Sequence, residues 1–164
     1  MRFCFALCLC LAALVSRAED PTGELAPNWI LSDLSGTQVS LYQEAEAGIT
    51  TVMFFWASWC NSCKTLLPVI KSLDAAKGDK PVRFYLMNVW EDNDPVAFLQ
   101  QHQVQHLPVL LQAENVAQRY DIKITPGIVV VDAERRIRYV RQPGEGVAEV
   151  TTSLQKVLDI KLQP

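Results

Sequence analysis

The sequence has no excess of positive charge: 15 lysines and arginines stand against 18 aspartates and glutamates, for a net charge of -3. A nucleic-acid partner would need a basic footprint, and there is none. Histidine is scarce, with two in 164 residues. Glycine and proline, at 7 and 9, are not enriched, so nothing marks a low-complexity chain. No internal repeat is visible, which argues against a solenoid or a propeller. No apolar run reaches the ~20 residues that a membrane-spanning helix needs. What remains is 49% hydrophobic, the composition of one globular domain with an ordinary core.

Cysteine also becomes scarce once the first residues are read as a targeting segment. Arg2 supplies a charged start, and Phe3 to Val15 is a short apolar stretch. Ser16-Arg17-Ala18 puts small residues at the two positions a signal peptidase reads, so cleavage is expected after Ala18. Residues 1–18 are then a signal peptide, and 19–164 form one exported, periplasmic domain. Cys8 and Cys10 follow Leu7 and Leu9, where a lipoprotein signal would need a small residue. Of five cysteines, loss of Cys4, Cys8 and Cys10 leaves only Cys60 and Cys63. Disulfides persist in exported proteins. A pair this close in sequence closes almost no loop and stabilises little as a staple, so reactive use is the better reading.

The chain is organised around Val52-Met53-Phe54-Phe55-Trp56-Ala57-Ser58-Trp59-Cys60-Asn61-Ser62-Cys63-Lys64. A β-branched and aromatic run without alternation predicts a strand covered on both faces, from Thr51 to Trp56. It delivers Cys60 to the start of a helix that runs to about Ala76, with a kink expected at Pro68. Unpaired N–H groups at a helix start favour a thiolate. Cys63 lies one turn further on the same face, where it can attack or be attacked by Cys60.

Around this centre, Asn28–Leu31 and Val39–Leu41 flank the turn signal Asp33-Leu34-Ser35-Gly36 and predict a hairpin. Val82–Val89 reads as a second buried strand. Asp94-Pro95 caps a helix through Gln103. Pro108–Leu111 is a short strand and Asn115–Tyr120 a short helix. Ile128–Val131 and Arg136–Val140 form antiparallel strands. Val147, Val150, Leu154, Val157 and Leu158 recur at helical spacing. Strands alternating with helices give an α/β fold, a mixed sheet with helices on both faces.

Phe55-Trp56-Ala57-Ser58-Trp59-Cys60-x-x-Cys63, Pro68, and Thr125-Pro126 before an apolar strand together resemble the thioredoxin fold. Ala26-Pro27-Asn28-Trp29 with the hairpin that follows is similar to the exported TlpA-like branch, which includes disulfide reductases of cytochrome c maturation. The resemblance implies a mixed central sheet flanked by helices, with the hairpin as an N-terminal extension. It implies Cys60 as an exposed nucleophile and Cys63 as the buried resolving thiol. It places Thr125-Pro126, joined by a cis bond, facing them as a substrate-binding loop. Trp59 would be an apolar rim for substrate, whereas Trp56, inside the strand, reads as core. No cofactor is called for. The implied partners are protein disulfides and an upstream thiol donor, a membrane thiol reductase being one such donor. Two positions depart from the pattern: Phe54 replaces a buried aspartate of cytosolic thioredoxins, and Leu66 replaces a glutamate common in this branch. The dipeptide Asn61-Ser62 carries no proline. The reaction class stands, and the direction of electron flow is left open between reduction, oxidation and isomerisation.

Other clusters have plainer readings. Cys60, Cys63, His102 and His106 are nominal zinc ligands, but the interval from Cys63 to His102 far exceeds the ~12–15 residues of a small finger. A solvated helix face accounts for the histidines, and no metal site is expected. Glu91, Asp92 and Asp94 read as charge at a helix start. Arg135, Arg136, Arg138 and Arg141 read as guards of an edge strand. A non-catalytic metal or apocytochrome chaperone using the same dithiol is the second function class, and turnover separates it from an enzyme.

Overall fold

The computed structural model describes residues 20–162; the expected signal peptide and its cleavage site lie outside them. In chain order the elements are β1 (Ile30–Ser32), β2 (Gln38–Ser40), α1 (Leu41–Glu46), β3 (Thr50–Trp56), α2 (Asn61–Ala76) and β4 (Val82–Asn88). They continue with α3 (Pro95–Gln101), β5 (Val109–Leu110), α4 (Glu114–Arg119), β6 (Gly127–Val131), β7 (Ile137–Val140) and α5 (Val147–Leu158). β1 and β2 form the expected hairpin, with Asp33 accepting hydrogen bonds from the Ser35 and Thr37 backbones. Asx geometry of this kind is why Asp-x-Ser-Gly makes a turn.

The central sheet has the order β5-β4-β3-β6-β7, with β3 parallel to β4 and antiparallel to β6. It is the mixed sheet of a thioredoxin fold. The unbroken apolar run of β3 is explained by cover on both faces. Val52, Phe54 and Trp56 enter one core with Leu67 and Ile70 of α2, Phe98 of α3 and Leu154 of α5. Met53 and Phe55 enter a second core with Trp29, Leu41 of α1 and Val116 of α4. Alternate residues therefore serve opposite layers.

Three local outcomes differ from, or add to, the sequence reading. Leu41 ends no strand but begins α1, which the short alternating segment Val39-Ser40-Leu41 concealed. Leu41 and Ala45, one turn apart, are both buried, and Glu44 pairs with Arg83 at 2.7 Å. α2 continues through Pro68 without interruption, and the ring lies on the exposed side. β7 is an edge strand, and backbone as well as side chains lies against it. Gly23 donates to the Ile137 carbonyl and Ile137 to that of Glu24, so the N-terminal lead-in covers the start of that edge.

Gly127 opens β6 opposite Phe55. A Cβ there would lie 2.6 Å from Ile122 Cγ2 and 3.3 Å from Phe55 Cβ. Neither atom is the free end of a flexible chain, so overpacking is expected. Gly127→Ala should lower unfolding free energy by about 1–3 kcal/mol, read from urea melts. An unchanged midpoint would mean that the 122–127 loop yields freely.

Candidate active site

β3 ends at Trp56, and three residues turn the chain into α2, whose N-cap is Cys60. The turn closes when the Cys60 N–H donates to the Ala57 carbonyl at 3.1 Å. Cys60 and Cys63 are joined by a disulfide, with their Cα atoms 5.2 Å apart. The Cys63 N–H, in the first helical turn, is shared between Cys60 Sγ and the Cys60 carbonyl, each at 3.1 Å, so a backbone donor points at this sulfur. That donor, rather than the Ser62 N–H or hydroxyl, is the one that contacts the sulfur. In this disulfide state Cys60 is 4% exposed and Cys63 1%. The exposed Cys60 that the resemblance implies is therefore not a feature of the oxidised pair. Bonded to Cys63, Cys60 sits in the same apolar cluster as Phe54, Leu66 and Leu67.

Trp59 is 45% exposed, and its indole N–H donates to the Trp90 carbonyl at 2.7 Å. Trp90 is exposed as well and adopts φ 50. Trp56 is buried and stacks on Phe98 with ring centroids 4.9 Å apart, as a core residue does. Phe98 in turn packs on His102 at 4.3 Å. A groove of about 520 Å³ runs from the turn along α3, lined by Ser58, Trp59, Lys64, Asp94, Phe98 and His102. His102 thus belongs to a groove wall near the dithiol, and His106 stands apart from it, 3.9 Å from Asp74.

The Thr125–Pro126 bond is cis. The register pairs Gly127 with Phe55, so Thr125-Pro126 stands at the end of the sheet from which the Cys60 turn departs. Arg141 supports this loop: its guanidinium donates to the Pro126 carbonyl at 3.0 Å and to the Glu145 carbonyl at 2.7 Å. In the sequence Arg141 was one of four edge-strand arginines, and nothing local marks its separate task.

Glu91 was also read too plainly. Its carboxylate accepts from the Ser58 N–H at 2.9 Å, the Ser58 hydroxyl at 2.6 Å and the Asn88 amide at 2.8 Å. Burial pushes its pKa up, but the bonds from Ser58, Asn88 and Asn93 outweigh this and hold it below the ordinary 4.5. A carboxylate with a depressed folded pKa contributes stability that is complete above its unfolded value. That contribution fades as pH falls through the folded value. Wild type should therefore lose its stability advantage over Glu91→Gln below about pH 4.5, in urea midpoints measured against pH. An advantage that persists unchanged into strong acid would contradict the hydrogen-bonded carboxylate.

A mixed sheet of this order, with a Cys-x-x-Cys disulfide capping the helix after its central strand, defines a thioredoxin-like disulfide oxidoreductase. The chain belongs to the Redoxin family, whose profile matches residues 21–157. It is similar to the thiol-disulfide oxidoreductase ResA of Bacillus subtilis, at 25% identity over 127 residues, 77% of this chain and 70% of that protein. It is also similar to the methylamine utilization protein MauD of Paracoccus versutus, at 24% identity over 149 residues, 91% of this chain and 70% of that protein. Among solved structures, the thioredoxin domain of a thiol-disulfide oxidoreductase from Bacteroides vulgatus superposes with a TM-score of 0.68. The identity is 24%, over 85% of this chain and 99% of that one. StoA from Bacillus subtilis gives 0.61 at 21% identity, over 79% and 97%. These likenesses support the TlpA-like branch.

Proposed function

We propose that the chain is an exported, periplasmic oxidoreductase that reduces disulfides of partner proteins, with apocytochrome c among the fitting substrates. The observation that carries this reading is Cys60 Sγ at the start of α2, bonded to Cys63 and facing the Cys63 N–H. In the reduced protein the Cys60 thiolate attacks one sulfur of a substrate disulfide, and the other substrate sulfur leaves as a thiolate. Cys63 then loses its proton and attacks Cys60 Sγ. The Cys60–Cys63 disulfide re-forms and the second substrate thiol departs. The substrate gains two electrons, and an upstream thiol donor restores them to the dithiol. Trp59 offers the substrate an apolar rim, and the Thr125 backbone beside Pro126 offers it an extended edge. Oxidation is the competing direction, favoured by Phe54 and Leu66: both are buried in the cluster of Cys63, and neither can accept its proton.

Export rests on Arg2, the apolar run and Ser16-Arg17-Ala18. Among the described residues no helix is long and apolar enough to cross a membrane. A Cys63→Ser trap expressed in the native host tests the proposal. The expected product is periplasmic protein beginning at Glu19, with partner proteins bonded to Cys60. Recovery of an uncleaved chain beginning at Met1, or of no mixed disulfide, would refute export or exchange respectively.

A further inference from the structure

Glu91 lies outside the Cys-x-x-Cys segment, yet it is tied to the turn that delivers Cys60. One carboxylate oxygen accepts from the Ser58 N–H and the Asn88 amide; the other accepts from the Ser58 hydroxyl and the Asp92 and Asn93 N–H groups. Asn88, the last residue of β4, is buried, and its amide also reaches the Trp56 carbonyl at 3.5 Å. The carboxylate thereby joins the exits of β3 and β4. Ser58 precedes Cys60 by two residues, which limits their Cα separation to about 7 Å. The charge is then within about 10 Å of the Cys60 backbone.

No cation pairs with Glu91 among the ion pairs of the described residues. The other charged groups around it have separate tasks or lie exposed. Lys64, on α2, is exposed and bonds Asn61 at 3.3 Å. Asp94 caps α3, and Glu114 of α4 accepts from the Trp90 N–H. Asp92 is exposed, and His102 lines the groove and packs on Phe98. The negative charge of Glu91 is therefore met by neutral dipoles alone.

We propose that Glu91 is a positioning residue of the dithiol: it fixes the Ser58-Trp59 turn and holds a negative charge against the Cys60 thiolate, making the pair more reducing. The inference rests on Cys60 being the ionised sulfur of the reduced pair. Two glutathione thiols reduce the disulfide. The Cys60–Cys63 bond breaks, Cys60 is released as thiolate, Cys63 takes a proton, and glutathione disulfide and one proton are produced. A nearby anion disfavours that thiolate and so disfavours the reduced form. It opposes the helix start and the Cys63 N–H, which favour it. The poise of the dithiol is then a balance between Glu91 and the first turn of α2.

The test compares wild type, Glu91→Gln and Glu91→Asp as full chains, following Cys60 ionisation by thiolate absorbance and the dithiol equilibrium by glutathione titration. At low salt, Glu91→Gln should lower the Cys60 pKa by about half a unit and shift the equilibrium about threefold toward the dithiol. Both differences should shrink as salt is raised. Glu91→Asp keeps the charge and should restore wild-type values. A wild-type Cys60 pKa in Glu91→Gln would overturn the proposal, as would a Glu91→Asp protein shifted equally. If Glu91→Gln does not fold, the carboxyl carbon resonance of Glu91 in reduced wild type should inflect at the Cys60 pKa. A flat resonance would overturn the proposal equally. Failure of the functional reading is separable, since wild type would then lack turnover whatever these titrations show.

Discussion

Cys60→Ser is expected to abolish attack on a small disulfide, by about three orders of magnitude or more, while Cys63→Ser retains the attack and stalls after it. The asymmetry follows from placement. Cys60 is the N-cap and precedes the helix, so its sulfur accepts from the Cys63 N–H; Cys63 lies within the first turn, and no hydrogen bond to its sulfur is found among the described residues. A hydroxyl in place of Cys60 is almost never ionised near neutral pH and cannot form a mixed disulfide. A hydroxyl in place of Cys63 leaves the nucleophile intact and removes only the resolving sulfur. Alkylation of the reduced wild-type protein at mildly acidic pH should likewise label Cys60 before Cys63. Stopped-flow mixing with glutathione disulfide checks the first expectation. Equal loss in both variants, or greater loss in Cys63→Ser, would exchange the roles of the two cysteines.

The second large effect concerns the proton on Cys63. In the disulfide form Cys63 belongs to the apolar cluster of Phe54, Leu66 and Leu67, and an apolar site raises the pKa of the thiol that reduction releases there. Phe54 is 1% exposed and Leu66 3%, so neither position supplies a carboxylate, and both are closed to solvent. Resolution should accelerate about tenfold per pH unit below the Cys63 pKa, in proportion to its thiolate fraction. The Cys63 N–H at Cys60 Sγ favours the reduced form, and the potential should lie above the about -270 mV of thioredoxin. Leu66→Glu should flatten the pH profile and speed resolution near neutrality. Burying that carboxyl costs stability, about 3 kcal/mol in urea melts, because Leu66 is core. A potential at or below that of thioredoxin, with a flat wild-type profile, would show that another group takes the proton and would favour the plain reductase reading.

Much of this was legible because the signals were local. After Thr51 the run Val52–Trp56 has no strongly polar residue and no alternation, so a strand covered on both faces follows from composition. Asp94-Pro95 caps α3 as its residue types require, with Asp94 accepting from the Val96 and Ala97 N–H groups. The Cys-x-x-Cys spacing at a strand-to-helix junction marked the dithiol. What the sequence concealed depends on tertiary contact. α1 is six residues long and follows a strand directly, so Val39-Ser40-Leu41 read as one strand segment. Glu91 is 33 positions from Ser58 in sequence, and its neighbours Asp92 and Asp94 supplied a sufficient local explanation as helix-start charge. Arg141 was masked in the same way by Arg135, Arg136 and Arg138. Its role at the Pro126 carbonyl appears only when β6 and β7 pair.

The central claim is that Cys60 and Cys63 turn over as a catalytic dithiol. Catalytic reduction of insulin with a recycling thiol reductant tests it most directly. Many insulin disulfides reduced per wild-type molecule, and only the uncatalysed background with Cys60→Ser, is the result this account predicts. Reduction limited to one equivalent, or a wild-type rate equal to that of Cys60→Ser, would contradict it and leave a protein that holds its ligand without turnover.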